Sequence, residues 1–242
     1  DNIKKLSNRQ MAGSLCANAI LTTDTFSKEG HQRFEIDGKE VNIAGISKGS
    51  GMIHPDMGTM LAFIVSDVNI DQKLMDRTFK EAVDDTFNMI TVDGDTSTND
   101  EALLLCNGLA GNKKIKSEND SGFAEFREHL FAVCRHLAKL IVSDGEGATK
   151  MIEYRVINAK EKKEARQMIR TVSDSSLVKT AIYGRDPNWG RIIAAAGRAG
   201  VDFDPEKVDL FIGSDRELLQ VLKQGKPTDQ DLKEIGRLFK DS

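Results

Sequence analysis

Thr59 directly follows Gly58 and heads the apolar run Met60 to Val65, behind the glycine-rich turn Lys48-Gly49-Ser50-Gly51-Met52-Ile53. A threonine hydroxyl is a weak nucleophile at neutral pH. One way to activate it is the threonine's own α-amine, freed as a new N-terminus and acting as the adjacent base. Freeing that amine requires the Gly58-Thr59 bond to break. A glycine before the bond suits such a break, because a residue without Cβ tolerates the strained backbone that brings a hydroxyl onto its own preceding carbonyl. Taken alone, the dipeptide reads first as a turn leading into a β-branched strand residue. Lys48 alone reads as a solvated lysine in a turn, and Thr22 as a loop threonine or helix cap. Glu146, between Gly145 and Gly147, alone reads as part of a turn that ends a helix.

Metal chemistry is not expected. The acidic run Asp93 to Asp100 invites a calcium-loop reading, but Thr98 and Leu104 stand where an EF-hand needs glycine and glutamate. A turn capping a helix that starts near Glu101 explains the run better. His31, His54, His129 and His136 are scattered and have no matching ligand set, so neither a metal nor another cofactor is expected.

The elements that must position these residues alternate along the chain. Met11 to Ile20 reads as a helix, and Arg33 to Ile36 with Val41 to Ile46 reads as a hairpin turning at Asp37-Gly38. Met60 to Val65 reads as a fully buried strand with Thr59 at its mouth. Leu74, Phe79, Ala82, Val83, Phe87 and Ile90 form one helical stripe. Phe123, Phe126, Leu130, Cys134, Leu137 and Ile141 form a longer one, stopped at Asp144-Gly145. Further on, the pattern predicts a strand at Ile152 to Ile157, a helix at Glu161 to Val172 and a strand or helix start near Lys179 to Tyr183. A helix at Trp189 to Ala199, a strand at Val208 to Ile212 and a helix at Arg216 to Lys223 follow. The class is α+β, a layered α/β arrangement.

Composition narrows the function. With 242 residues, 39% hydrophobic and 30% charged, the chain can bury a core without a metal or disulfide staple. A net charge of -4, mixed in sign, gives no broad basic surface for nucleic acid. No run approaches the ~20 apolar residues of a membrane span. Cys16, Cys106 and Cys134 are odd in number and sit among apolar neighbours, as buried free thiols of a reducing compartment do, so the cytoplasm is expected.

Four ordered segments carry a resemblance. They are Ala19 to Thr25, with its Thr-Thr-Asp-Thr; Lys48 to Leu61, with its Lys-Gly-Ser-Gly-Met-Ile; Asp144 to Lys150; and Leu177 to Gly200, with its Asp-Pro-Asn-Trp-Gly-Arg. Together they resemble the ornithine acetyltransferase family, the bifunctional glutamate N-acetyltransferases of arginine biosynthesis. The family more often has alanine before the threonine, and asparagine where this chain has Asp56. The resemblance implies autocleavage at Gly58-Thr59, so that residues 1–58 belong to an α chain and 59–242 to a β chain. It implies catalysis by Thr59 through a ping-pong acyl-enzyme, with N-acetylornithine and glutamate as substrates and Thr22, Lys48, Thr59 and Glu146 as substrate contacts. It further implies the family's fold and an α2β2 assembly. Acetyl-CoA is a second donor in only part of the family, and no residue here decides the point. Against family members the sequence reads as an internal fragment, without the N-terminal portion that carries their oxyanion-hole residues and without their C-terminal asparagine and threonine. Two other readings share the same residues: a threonine-nucleophile amidohydrolase or aminopeptidase, and a non-catalytic truncated homologue.

Overall fold

The computed structural model describes residues 7, 9, 11–54, 60–214 and 216–239. Gly58 and Thr59 lie outside the described residues. The chain divides into two compact units, residues 1–148 and 149–242, and each combines helices with a sheet in the expected α+β class.

The first unit runs α1 (Ala12–Ala19), β1 (Lys28–Ile36), β2 (Lys39–Lys48), β3 (Leu61–Ser66), α2 (Gln72–Asp85), β4 (Glu101–Cys106) and α3 (Phe123–Ser143). Its four strands lie in the order β1-β2-β3-β4. The β1/β2 hairpin turns on Asp37 and Gly38, with φ of 51° and 72°. Two successive positive φ values match the right-handed twist of the flanking strands, which is why a two-residue Asp-Gly turn closes a hairpin here. The hairpin is longer than the sequence pattern indicated, pairing from Ile36↔Lys39 to Lys28↔Ser47. β2 then pairs antiparallel with β3, and β3 parallel with β4. The parallel step needs a crossover, which α2 supplies.

α3 supplies the core beneath this sheet. Phe126, Leu130, Cys134, Leu137 and Ile141 recur at helical spacing, are buried, and pack with Val41, Ile43, Ala62 and Ile64 of the strands. Gly45 is where the helix comes closest to β2: a Cβ there would lie 2.9 Å from Leu137 Cδ1 and 3.2 Å from Ile64 Cγ1. Leu137 is fully buried and has little room to yield. Gly45→Ala is therefore expected to lower stability by about 1–3 kcal/mol through overpacking; equal denaturant midpoints for variant and parent would contradict this.

Several expectations need correction. The residues from Glu101 form a strand where a helix was expected. Ala-Leu-Leu-Leu favours a helix locally, but the parallel ladder from Leu61↔Glu101 to Ser66↔Cys106 overrides that preference. β3 begins at Leu61 and is buried on one face only, with Val65 50% exposed on the other. Of the thiols, Cys134 is buried and Cys106 partly so, but Cys16 is exposed. Burial pushes the Cys106 and Cys134 thiols up to about 12.

The second unit holds α4 (Lys162–Ser173), α5 (Ser176–Tyr183) and α6 (Gly190–Gly197), followed by β5 (Leu210–Gly213), β6 (Leu218–Lys223), β7 (Lys226–Pro227) and α7 (Leu232–Leu238). One small core gathers Val172, Val178, Ile182, Ala195 and Ala196, and another Leu219, Val221, Ile235 and Leu238. The helix expected at Arg216 to Lys223 is strand β6, which continues into β7 through Gln224-Gly225 with φ of 47° and 72°. Residues 152–157, expected as a strand, alternate in burial but pair with no strand among the described residues. Asp186-Pro187-Asn188-Trp189-Gly190-Arg191 forms the corner between α5 and α6. There Arg191 donates to the Leu177 carbonyl (2.9 Å) and the Thr180 hydroxyl (3.1 Å), which gives the motif a structural role. No helix of the described residues is long and apolar enough to cross a membrane.

Candidate active site

The site is assembled in the first unit where three loops meet at the end of β2. The first loop, residues 20–27, leads from α1 to β1. The second follows Lys48, and the third follows α3 and carries Asp144 to Ala148.

Lys28 joins the first loop to the third. Its ammonium is fully buried and donates to Asp24 Oδ1 and to Asp144 Oδ2, both at 2.6 Å, and to the Phe26 carbonyl at 3.3 Å. The carboxylates in turn hold backbone. Asp24 Oδ1 accepts the Gly49 N–H at 2.6 Å, and its Oδ2 accepts the Thr22 N–H at 3.3 Å. Asp144 accepts the Thr25 N–H at 2.9 Å and the Thr25 hydroxyl. Burial by itself raises both carboxyls, but these donors outweigh it. Gly49 N–H, Lys28 and Thr22 N–H bring Asp24 below its ordinary value, and Lys28 and Thr25 do the same for Asp144.

This frame brings two of the expected substrate residues into contact: Lys48 Nζ donates to Thr22 Oγ1 at 2.8 Å. Lys48 is 7% exposed, whereas Thr22 is exposed, so the contact joins a buried lysine to a residue at the surface. Glu146 lies across the glycine-rich turn. Its N–H donates to the Ser50 carbonyl at 2.8 Å, and a Cβ on Gly51 would come within 3.1 Å of Glu146 Oε2. Glycine at 51 leaves the carboxylate its room. The Thr23 and Ser50 hydroxyls, 2.6 Å apart, tie the first loop to the same turn.

The turn is held from behind by Asp93. Its Oδ2 accepts the Met52 N–H at 2.6 Å and its Oδ1 the Ile53 N–H at 3.1 Å, with Met52 at a φ of 54°. Asp93 thus stabilises the backbone on the N-terminal side of residues 55–59. On their C-terminal side, Met60 N–H donates to Asp100 Oδ1 at 2.7 Å. Thr22, Lys48 and Glu146 therefore gather around one turn, while Gly58 and Thr59 lie outside the described residues.

Sequence reasoning gave no role to Lys28, Asp93, Asp100 or Asp144. Two signals for them were present: the Asp24/Lys28 spacing of four, and the carboxylates placed beside glycine-rich turns. Among the described residues no group of three histidines, cysteines or carboxylates is arranged to hold a metal ion. What the arrangement offers is a cation with a hydroxyl, and a carboxylate across the turn from them. That pattern suits a small zwitterion with a carboxylate at one end and an amine at the other.

Comparison with known proteins places these residues in a wider group. The family model described as the ArgJ family matches residues 1–242. The arginine biosynthesis bifunctional protein ArgJ of Thermotoga neapolitana is 51% identical over 215 residues, which cover 89% of this chain and 54% of that protein. The ArgJ protein of Caldanaerobacter subterraneus subsp. tengcongensis is 47% identical, over 92% of this chain and 55% of that protein. The chain thus spans about half the length of these curated relatives. Among solved structures, the arginine biosynthesis bifunctional protein ArgJ of Bacillus halodurans superposes with a TM-score of 0.69 at 40% identity, covering 74% of this chain and 82% of that one.

Proposed function

The chain belongs to the ArgJ family, and from that premise we propose that it carries a glutamate N-acetyltransferase site that moves acetyl from N-acetyl-L-ornithine to L-glutamate in arginine biosynthesis. The observation that carries this reading is the meeting of Lys48 and Thr22 across from Glu146 around one turn. Lys48 takes the α-carboxylate common to donor and acceptor, and Glu146 takes the amine end of ornithine.

In the first half-reaction Thr59 Oγ attacks the acetyl carbonyl. The acetyl C–N bond breaks, and the hydroxyl proton passes through the Thr59 α-amine to the departing ornithine amine. In the second, the glutamate amine attacks the ester, the C–O bond breaks, and Thr59 recovers its proton. Water must stay out, since it would release acetate from the same ester. An acetylglutamate product therefore separates this reading from an amidohydrolase. Acetyl-CoA as a second donor is a question for the same assay.

Autocleavage at Gly58-Thr59 frees the amine and divides the chain into residues 1–58 and 59–242. β2 lies on one side of the cut and β3 on the other, and they pair from Ile43↔Ser66 to Lys48↔Leu61. The two products stay joined through this ladder, as an assembly of α and β chains requires. Three thiols without a disulfide suit a cytoplasmic enzyme.

Lys48→Met is expected to raise the KM for N-acetylornithine and glutamate alike, by about tenfold to a hundredfold for a lost charge-assisted hydrogen bond. Steady-state kinetics with each substrate varied in turn check it. A KM changed for neither substrate removes Lys48 from the site.

A further inference from the structure

Three adjacent strands bring Lys48, Met60 and Asp100 to one end of the four-stranded sheet. Lys48 closes β2, Met60 leads into β3 and Asp100 into β4, and both Lys48 and Glu101 lie opposite Leu61 in the ladder. Met60, 4% exposed, is held by both of its backbone groups. Its N–H donates to Asp100 Oδ1 at 2.7 Å, and its carbonyl accepts the Glu101 N–H at 3.1 Å. The other carboxylate oxygen, Asp100 Oδ2, is buried and has no hydrogen-bond partner among the described residues. Such an oxygen costs stability, a cost that asparagine would avoid while accepting the Met60 N–H only through a weaker, uncharged hydrogen bond.

Resting on the reading of Thr59 as nucleophile, we propose that Asp100 is a positioning residue for Thr59, acting through its charge on the Met60 N–H that follows the nucleophile in the chain. The groups that act on this carboxylate are the Met60 N–H and the Lys48 ammonium. Burial pushes Asp100 up to about 6 although both of them pull the other way. The folded-state value lies above the ordinary 3.8, so the folded chain holds the proton more tightly than the unfolded one. Ionisation thus lowers stability as pH rises from the ordinary value through the folded one, and the penalty is complete above it. The stability lost to this buried charge is retained for function, as at other sites where activity and stability conflict.

The test compares the parent chain with Asp100→Asn, Asp100→Ala and Thr59→Ala. Asp100→Asn is expected to melt higher than the parent at pH 7.5 and at nearly the same temperature at pH 4. Its Gly58-Thr59 cutting and its acetyl transfer are expected to be slower by roughly tenfold to a hundredfold, the scale of a small misplacement of a reacting group. The parent's rates should rise with pH through a limb centred near 6 that Asp100→Asn lacks. In chain labelled with 15N-methionine, the Met60 amide resonance should titrate with that midpoint in the parent and not in Asp100→Asn, a readout that needs no activity and remains if Asp100→Ala fails to fold. Asp100→Asn that melts lower at pH 7.5, that works at the parental rate, or that keeps the limb overturns the proposal. A parent that stays whole and inactive like Thr59→Ala overturns the reading of Thr59 and the positioning role with it, while the Met60 titration still reports separately on the contact.

Discussion

Thr59→Ala is expected to leave the chain whole and to abolish acetyl transfer, by roughly four to six orders of magnitude in kcat, the scale seen when a covalent nucleophile is removed. The size of the effect follows from the proposed mechanism, in which one residue has two functions: its hydroxyl carries the acyl group and its α-amine serves as base. Thr59→Ser keeps both and should retain cutting and transfer. Thr59→Ala, which keeps β2 and β3 in one chain, should melt no lower than the cut parent. The strand entry is fixed by the backbone of Met60, through Asp100 and the Glu101 N–H, and neither contact uses the threonine side chain. Intact mass, melting and steady-state assays on the two variants check these expectations. Transfer by Thr59→Ala at even a hundredth of the parental rate would exclude an acyl-threonine.

Lys28→Met should be the most destabilising single substitution proposed here, at about 3–5 kcal/mol, the range for removing one partner from a buried ion pair. Methionine fills a similar volume but strands the Asp24 and Asp144 carboxylates, whose side chains are 0% and 3% exposed. Such a loss is a large share of a typical domain's stability. The pH dependence gives a second check. Both carboxyls are held below their ordinary 3.8 in the folded chain. In the parent, their contribution is therefore complete above the unfolded value and lost as pH falls through the folded ones. In Lys28→Met the stranded charges gain from protonation, so mild acidification should narrow the gap to the parent, and Asp144→Asn in the same chain should restore part of the stability. A variant as stable as the parent at neutral pH would show that the triad contributes nothing net. The functional consequence is also specific. Asp24 holds the Gly49 N–H beside Lys48, and Asp144 stands two residues before Glu146, so loosening the triad is expected to loosen both ends of the proposed substrate site.

Periodicity made the helices legible wherever one face was buried and the spacing was long, as in α3, whose stripe from Phe123 to Ile141 matches its buried face. The Asp37-Gly38 hairpin was equally clear, because its turn chemistry is local. β4 and β6 were misread for a shared reason. Ala-Leu-Leu-Leu and Leu-Leu-Gln-Val-Leu favour helix by local preference, and only pairing with β3 in one case, and with β5 and β7 in the other, makes them strands. At the site, Thr22, Lys48 and Glu146 were singled out by resemblance, since each alone is an ordinary loop residue. The residues that hold them were missed because their partners are remote in sequence: Lys28 and Asp144 are 116 residues apart, and Asp93 reaches back 41 residues to Met52. Asp93 was set aside when its loop failed as a calcium site, although the same short carboxylate beside a glycine is well suited to accept backbone N–H groups.

The most direct measurement is the intact mass of the purified parent chain after incubation with N-acetylornithine in the absence of glutamate, with Thr59→Ala alongside. Two fragments that meet at Gly58 and Thr59 are expected in the parent only, with one acetyl group on the fragment beginning at Thr59 that disappears when glutamate is added. An uncut parent chain, or an acetyl group carried by Thr59→Ala as well, would contradict a self-processed threonine nucleophile.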